Sequence, residues 1–438
     1  MTSRRRAGLV GLLAGAVVSQ TGSRVSMVAV PWLVLVTTGS AARTGLVAFA
    51  EMLPYVLVQV FAAPVVDRFG GRRVSVVCDV VSAGVLALVP LLYDAGRLPF
   101  WLLCVLVAVV GAFRGPGENA KHVLVPEIVA EARMPMERGA GLLDGTMRLG
   151  SLLGAPLGGA LAATVGAGNA IVADAASFLV AAVLVGCCVL RHRERPETLP
   201  DKPSGVRGYL HDLGEGLGVA FRDPLLRAIG LMVLVTNLFD QAYVAVLLPV
   251  WAKDTFGTAA VVGLVAGASG LGAVLGNVTF SAVSHRMPRR MTYAVCFLIT
   301  GGPRYLLMIR SHSLTVVVAG MVLCGFASGA INPLLGATEY ERIPQRLRAR
   351  VLGAVGSLAW AGIPVGGLVG GWLVTGVGIS WALAAVGTAY LVTTLAPFVR
   401  PAWRLMDRDR VSLTPAAATA AGPSSPRRGR AGRTADAP

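Results

Sequence analysis

Twelve apolar stretches of roughly 20 residues divide this chain, and they constrain its fold more than any other feature of the sequence. A helix of about 20 apolar residues spans the ~30 Å hydrocarbon core of a bilayer, where backbone groups must bond within a helix or a closed barrel. The sequence therefore predicts an all-α integral membrane protein with twelve transmembrane helices. The predicted spans are 11–37, 43–66, 74–93, 99–120, 138–165, 168–190, 227–251, 257–284, 291–309, 314–337, 351–376 and 378–399.

Composition and charge placement agree with a membrane protein. Charged residues make up 14% of the chain, against about a quarter in soluble domains. The net charge of +16 lies mostly in the N-terminus, in the loops that follow even-numbered spans and in the C-terminal tail. Only Arg43, Arg97, Lys253 and Arg310 fall in the opposite loops. By the positive-inside rule both termini are predicted to be cytoplasmic, so the basic surplus reflects topology and not nucleic-acid binding.

A repeated loop indicates that the molecule consists of two similar halves. Residues 63–73 read APVVDRFGGRR between two spans, and a degenerate copy, SHRMPRR, recurs at 284–290 between two others. We predict a six-helix N-terminal half at 1–190, a cytoplasmic linker at 191–226, a second six-helix half at 227–399 and a disordered basic tail at 400–438. Within the linker, leucines spaced by three and four residues between 209 and 221 favour an amphipathic helix.

The first copy of the loop resembles the signature between the second and third helices of major facilitator superfamily transporters. The family pattern Gly-x-x-x-Asp-Arg-x-Gly-x-Arg-Arg is matched except that Ala63 replaces the first glycine. The resemblance implies the major facilitator fold, with two pseudo-symmetric halves around a central site. It also implies a gating role for Asp67, Arg68, Gly70, Arg72 and Arg73.

A second motif lies in the fifth span, where small residues let neighbouring backbones approach closely. It resembles the antiporter signature of the same superfamily, which is typical of exporters, with the proline displaced by one position. Ordinary helix packing would use the same glycines. The motif residues are Gly150, Gly154, Pro156, Gly158 and Gly159.

Further segments resemble the branch of the superfamily that contains macrolide-efflux proteins and the enterobactin exporter. They include VPWLVL at 30–35 and DAASFL at 174–179. The branch often has an acidic residue in the first span where this chain has Ser23 and Arg24, so a proton-carrying carboxylate is not expected there.

Charged residues inside spans are the main candidates for proton coupling and for the central cavity, because a charge in hydrocarbon without a partner is costly. The first and seventh spans face each other in the superfamily, so we predict a couple between Arg24 and Asp240. This couple could carry the proton or form a static salt bridge. Asp144 and Arg148 stand one turn apart and are predicted to pair. The candidates are Arg24, Asp240, Arg114, Glu118, Asp144 and Arg148.

The sequence favours transport over catalysis. Trp32, Tyr243 and Trp360 are candidates for lining a substrate, although packing is the commoner use of aromatic residues in spans. We expect no catalytic residues, no metal site and no cofactor, because the histidines are scattered and the nucleotide-binding pattern of a P-loop is missing.

The leading functional hypothesis is a proton-driven exporter of amphipathic organic compounds, monomeric, in the plasma membrane of a bacterium. Two alternatives stay open. One is an exporter dedicated to a siderophore or another metabolite, and the other is a membrane scaffold or sensor that does not transport.

Charge placement generates a topological prediction. A cysteine introduced at Asp201 should resist a membrane-impermeant maleimide added to intact cells, because the linker is predicted to be cytoplasmic. Arg97→Cys, in an opposite loop, should be labelled under the same conditions. Efficient labelling at residue 201 would contradict the twelve-span topology.

Overall fold

The computed structural model describes residues 2–60, 62–189, 206–284, 287–343 and 345–408, and every element of regular structure in this part of the chain is a helix. The helices are α1 (Thr2–Thr38), α2 (Ala41–Val60), α3 (Ala62–Phe69), α4 (Gly71–Asp94), α5 (Phe100–Glu131), α6 (Met136–Thr164), α7 (Ala167–Cys188), α8 (Val206–Arg222), α9 (Pro224–Ala242), α10 (Leu248–Phe256), α11 (Ala259–Val283), α12 (Arg289–Arg310), α13 (Leu314–Ser328), α14 (Ile331–Arg342), α15 (Arg348–Trp360), α16 (Ile363–Val377), α17 (Ile379–Thr394), α18 (Ala396–Val399) and α19 (Leu405–Arg408). A π-helical turn, Tyr243–Leu247, joins α9 to α10.

All twelve predicted spans fall on these helices. Within the described ranges, ten helical segments are long and apolar enough to cross a membrane. The other two predicted spans are α1 and α6. The first contains the polar run 19–24, and the second contains an acidic and a basic residue one turn apart. Both helices pass beside the centre of the molecule, where polar groups can face a cavity instead of lipid.

The helices form two bundles that follow the predicted halves. In the first, α1 packs along α6 and α7, while α4 packs along α5 and α7. In the second, α11 packs along α13, and α12 packs along α13 and α17. Between the bundles, α2 lies against α16 and α6 lies against α11. The two interfaces are related by the internal repeat, since α2 corresponds to α11 and α6 to α16.

Glycines bring the backbones of the two halves into direct contact at both interfaces. A Cβ atom on Gly159 of α6 would lie 2.7 Å from the Cα atom of Gly263 on α11. At the other interface, a Cβ on Gly367 of α16 would lie 2.9 Å from the carbonyl oxygen of Gly45 on α2. These separations are too short for any side chain, so only glycine allows the helices to cross this closely.

Both glycine crossings lie toward the end of the bundle that contains the α1–α2 turn, which is the predicted outer side. There the ammonium of Lys253 donates to the carbonyl oxygen of Leu35 across the halves, at 3.1 Å. A buried cluster of the two halves surrounds this contact; it contains Leu35, Ala41, Ala48, Ala245, Val246 and Val250. The halves are therefore closed against each other at this end.

The first residues of the predicted disordered tail are packed against the helices. The prediction placed residue 400 outside the fold, but residues 400–408 are packed: Trp403 is fully buried and its ring lies 5.5 Å from that of Tyr293. A single tryptophan among charged residues gives too short an apolar signal to reveal this docking. Residues 409–438 of the predicted tail and residues 191–205 of the predicted linker lie outside the described residues. The amphipathic helix predicted in the linker corresponds to α8, which packs on α15.

The glycine crossings generate a test of stability. Gly159→Ala should lower the free energy of unfolding by about 1–3 kcal/mol, because the new methyl group overlaps backbone that cannot move away. Gly145→Ala, in the same helix, is a matched control, since its Cβ would meet nothing within 4 Å and alanine is the better helix former. Thermal unfolding of the purified variants measures both effects. Equal losses in the two variants would contradict a tight crossing at Gly159.

Candidate functional site

A cavity of about 400 Å³ lies between the two halves. Residues of α1 and α6 line it from the first half. The second half contributes residues of α9, the π-helical turn, α10, α11, α12 and α13. Its volume is in the range that accommodates drug-sized ligands. Most of the wall is apolar or small, and its charged residues are Arg24, Asp240 and Arg304. This central cavity is the candidate functional site.

Asp240 and Arg304 form an ion pair on the wall contributed by the second half. The Arg304 guanidinium donates to the Asp240 carboxylate and, at 3.0 Å, to the hydroxyl oxygen of Tyr305. Its central carbon also lies 4.5, 4.8 and 5.1 Å from the ring centroids of Tyr243, Tyr305 and Tyr390. Three aromatic faces around one guanidinium stabilise the cation where water is scarce. The Arg304 side chain is 11% exposed and that of Asp240 is 40% exposed, so the carboxylate is the member of the pair that faces the cavity.

The predicted couple between Arg24 and Asp240 is not formed. Both residues line the cavity, but the partner of Asp240 is Arg304, which approaches from its own half. The Arg24 guanidinium contacts the sulfur of Met27 at 3.4 Å, and its Nε atom is buried without a hydrogen-bond partner. The correspondence of the first and seventh spans, implied by the family resemblance, predicted that the two residues share a cavity. It could not show that a second cation, on another span of the same half as Asp240, would take the carboxylate.

Arg114 and Glu118 belong to a buried charge cluster inside the first half. Arg114 lies 3.1 Å from a Glu118 carboxylate oxygen and 3.2 Å from one of Glu51. The hydroxyl of Tyr55 donates to the other Glu118 oxygen at 2.9 Å. The ring of Tyr55 stacks on that of Trp360 across the halves, with centroids 6.2 Å apart. These contacts connect the Glu118 carboxylate of the first half, through Tyr55, to Trp360 of the second half.

Asp174 is a second buried carboxylate of the first half, and it has a different setting. It is 1% exposed and accepts a hydrogen bond from the hydroxyl of Ser177 at 3.1 Å. A cavity of about 10 Å³ lies beside it, bounded also by Glu51 and Arg114. That volume approaches the space of a single water molecule. Two carboxylates and a guanidinium therefore share one small polar pocket that is separate from the central cavity.

The predicted fourth span ends at residue 120, directly before Lys121, but the helix and the packed core extend further. Helix α5 continues to Glu131, and Lys121 is 5% exposed. Its ammonium lies 3.0 Å from a carboxylate oxygen of Asp79 and donates to the hydroxyl of Ser19 at 2.8 Å. In the sequence, Lys121 ends the apolar run of the fourth span. In the structure, its charge is neutralised by Asp79, 42 residues away.

Asp144 and Arg148 pair with each other as predicted, at 2.7 Å, with side chains 62% and 48% exposed. The next residues on the same face of α6, Ser151 and Ala155, line the central cavity. The pair therefore continues the cavity-facing stripe of α6 toward the end opposite the closed end. Its exposure indicates a position at the cavity mouth instead of the cavity centre.

The predicted gating residues occupy the turn between α3 and α4. Gly70 has φ 86°, a left-handed conformation that favours glycine and allows the reversal between the two helices. Arg72 donates to the carbonyl oxygen of Gly186 on α7, whereas Arg68 and Arg73 are exposed. The side chain of Asp67 lies outside the described residues. Arg72 thus connects the turn to the end of the sixth span.

The glycine motif of α6 contacts two neighbouring helices, α1 and α11. Gly150, Gly154 and Gly158 face α1, where added Cβ atoms would meet Gln20, Arg24 and Val25 respectively. Gly159 and Pro156 face α11, against Gly263 and Gly267. The spacing of the motif therefore seats α1 closely on α6 and also forms one crossing between the halves. Gly154 in particular leaves room for the stem of Arg24.

The three predicted aromatic candidates have different positions. Tyr243 lines the central cavity. Trp32 is 8% exposed and belongs to the buried core near Val28, so it packs between helices and is not among the cavity-lining residues. Trp360 stacks on Tyr55. Sequence reasoning missed Tyr305 and Tyr390, which surround Arg304, although the tyrosine directly after an intramembrane arginine was a usable signal.

Comparison with known sequences identifies related proteins over nearly the whole chain. The sequence profile of the Major Facilitator Superfamily matches residues 12–257 and 230–429. The multidrug efflux pump Tap of Mycobacterium tuberculosis (strain ATCC 25618 / H37Rv) is 29% identical over 399 residues, covering 90% of this chain and 94% of Tap. The multidrug efflux pump Tap of Mycolicibacterium fortuitum is 29% identical over 411 residues, covering 93% of this chain and 99% of that protein.

Solved structures of transporters share the fold at low sequence identity. The nucleoside transporter NupG has a TM-score of 0.67 and 13% identity, covering 89% of this chain and 98% of NupG. A bacterial homologue of the human lysosomal transporter Spinster, in an inward-facing and unoccupied conformation, has a TM-score of 0.66 and 13% identity. That match covers 93% of this chain and 98% of the homologue.

The asymmetry of the Asp240–Arg304 pair generates a prediction. Arg304→Met should destabilise the protein more than Asp240→Asn, because Arg304 retains three aromatic faces when Asp240 is neutral, whereas Asp240 loses its cation. The loss should stay below the ~3–5 kcal/mol cost of breaking a fully buried pair, since Asp240 is 40% exposed. Thermal unfolding of the two single variants and the double variant measures the order. Stability of the double variant below that of Arg304→Met would contradict the pairing.

Proposed function

The chain belongs to the major facilitator superfamily, and from that premise we propose that it is a secondary active exporter of amphipathic organic compounds. As a member of a transporter family it is a multi-pass membrane transporter and not an enzyme. The observation that carries the proposal is the central cavity, with mixed apolar and charged walls, closed at one end by the glycine crossings. Its similarity to the Tap pumps of bacteria supports export and a bacterial plasma membrane.

The proposed mechanism is alternating access by rocking of the two halves. The closed end is the predicted outer side, so this conformation would receive a substrate from the cytoplasm or the inner leaflet. Opening requires that the backbone contacts at Gly159 and Gly45 separate. These contacts involve no charged side chain, so their separation leaves no buried charge without its partner. The cavity lies within one chain, which suits a monomer.

We propose that export is coupled to proton entry and that Asp240 takes part in the coupling. Its carboxylate faces the cavity and shares a cation that three tyrosines stabilise independently. When the cavity dries around Asp240, protonation removes the cost of a charge, and Arg304 stays in its aromatic surroundings. The carboxylates of the first half, Glu51 and Asp174, are the alternative carriers, because both lie beside one small polar pocket.

Coupling is testable in inside-out vesicles with an acidic lumen. Asp240→Asn should abolish uphill accumulation of an amphipathic dye such as N-phenyl-1-naphthylamine, because the residue can no longer exchange a proton. Dye binding to the purified variant should be preserved. Asp254→Asn removes a carboxylate of the same type from an exposed position of the same span, and should accumulate dye normally.

Three outcomes separate the possibilities. Loss of accumulation in Asp240→Asn alone supports the proposal. Full accumulation in that variant would exclude Asp240 as the carrier and direct attention to Glu51 and Asp174. No accumulation of any amphipathic dye by the unmodified protein, at verified expression, would contradict export and favour a scaffold or sensor.

A further inference from the structure

We propose that Arg24 is the anion-binding group of the central cavity, and that the preferred exported compounds are amphipathic molecules carrying an acidic group. This assignment rests on the proposed export function and narrows its substrate class. It begins from the position of Arg24 on α1. The side chain passes over Gly154 of α6, where a Cβ atom would occupy the place of its stem. The packing therefore directs the guanidinium to the cavity wall.

The guanidinium of Arg24 has few hydrogen-bond partners for its five donors. Its terminal Nη1 atom contacts a thioether sulfur at 3.4 Å, which is a weak acceptor, and its Nε atom is buried without a partner. Among the described residues it forms no ion pair. A cation in a membrane interior normally pairs with a carboxylate or a backbone carbonyl, and one that does not is a candidate binding group.

The carboxylates near Arg24 are held by other groups. Asp240, on the opposite wall, pairs with Arg304. In the charge cluster of the first half, Glu51 and Glu118 both contact Arg114. The second carboxylate oxygen of Glu118 accepts a hydrogen bond from Tyr55. The charged lining of the cavity, Arg24, Arg304 and Asp240, therefore carries one net positive charge.

The chemistry of the wall defines the ligand that would neutralise this charge. A guanidinium binds a carboxylate or sulfonate with two parallel hydrogen bonds, a geometry that a neutral hydroxyl cannot reproduce. A ligand with a planar or flexible apolar body and one acidic group would pair with this cation and would also pack against the apolar wall. A cationic ligand would instead need Asp240, which already has a partner. The apolar residues of the cavity wall include Met27, Val28, Val244, Leu248 and Met321, and the methionine side chains can adapt in shape to a ligand.

A matched pair of dyes tests the assignment. 8-Anilinonaphthalene-1-sulfonate and N-phenyl-1-naphthylamine share one ring system and differ by the sulfonate. Binding of each is measured by fluorescence to the full-length protein in phosphatidylcholine nanodiscs, corrected against empty discs. Arg24→Gln should weaken binding of the sulfonate about tenfold or more. A loss of this size corresponds to the free energy of one hydrogen bond to a charged group. Binding of the neutral dye should change less than about twofold, which also shows that the variant is folded.

Two further variants sharpen the comparison. Arg24→Lys keeps the charge and should retain more sulfonate binding than Arg24→Gln, but less than the unmodified protein, because an ammonium cannot form the two parallel bonds. Arg310→Gln removes a positive charge at the exposed end of α12 and should leave both affinities unchanged. Equal weakening of both dyes by Arg24→Gln, or equal weakening of the sulfonate by Arg310→Gln, would overturn the assignment.

The acidic group could also belong to a lipid headgroup, and the nanodiscs distinguish this source. Adding phosphatidylglycerol should leave sulfonate binding unchanged if the site serves the exported compound. Competition by this lipid, lost in Arg24→Gln, would overturn the substrate assignment and place a lipid phosphate on Arg24.

Failure of this inference is separable from failure of the proposed function. Gradient-driven accumulation of the neutral dye, together with sulfonate binding that is insensitive to Arg24, would overturn the anion site and leave export standing. Sulfonate binding that depends on Arg24, with no accumulation of either dye, would support the anion site and contradict export.

Discussion

The cost of placing charge in a membrane interior organises this molecule, since each buried ionisable side chain must find a partner where water is scarce. Asp240 pairs with Arg304, Glu51 and Glu118 share Arg114, and Asp79 pairs with Lys121. Each arrangement joins two or three helices of one bundle at a fixed rotation. Arg24 stands apart from these pairs and faces the space between the bundles. The distribution of satisfied and unsatisfied charge therefore separates structural groups from the candidate binding group.

The contrast between contacts within a half and contacts between halves suits a rocking transporter. Each ion pair named above has both partners in one half, where it strengthens a bundle that can move as a unit. Across the halves, the contacts among the described residues include backbone crossings at Gly159 and Gly45, a hydrogen bond from Lys253 to a carbonyl oxygen, the stacking of Tyr55 on Trp360, and apolar packing. Contacts of this kind can be exchanged for others without leaving a buried charge uncompensated. Strong internal pairing and weak mutual pairing together permit two conformations of similar free energy.

The glycine motif of α6 illustrates how packing and function share residues. Its glycines seat α1 closely enough for Arg24 to emerge at the cavity wall, and its last glycine forms a crossing with α11. A larger residue in the motif would thus disturb both the position of a candidate binding group and the closure of one end. The π-helical turn Tyr243–Leu247 in the seventh span has a related effect, because the local change in helical register lies where Tyr243 meets Arg304. π-helical turns of this type are frequent at functional sites.

The sequence by itself determined the twelve spans, the division into two halves and the identity of most charged residues inside the membrane. These features are local: hydropathy over about 20 residues reports a span, and a charge within it is visible wherever it later points. It also placed Asp144 with Arg148, because residues four apart share a helical face. Helix α5 continues beyond the predicted end of the fourth span. Lys121 interrupts the apolar run there, although a distant carboxylate neutralises it. The docking of Trp403 was missed for the same reason, since its partner Tyr293 lies on another helix.

Only the tertiary structure decided which charges meet. Whether Asp240 faces Arg24 or Arg304 depends on the rotation of α9 and α12 about their axes and on the position of three tyrosines, which no local pattern encodes. The same holds for Glu51 of α2, which meets Arg114 of α5. Partner choice is a property of packing between helices distant in sequence, because the free energy of each pair depends on separations of a few ångströms. The sequence therefore specified which charged residues lie inside the membrane. The packing of the helices specified which of them pair with each other, and it placed Arg24 at the cavity without a charged partner among the described residues.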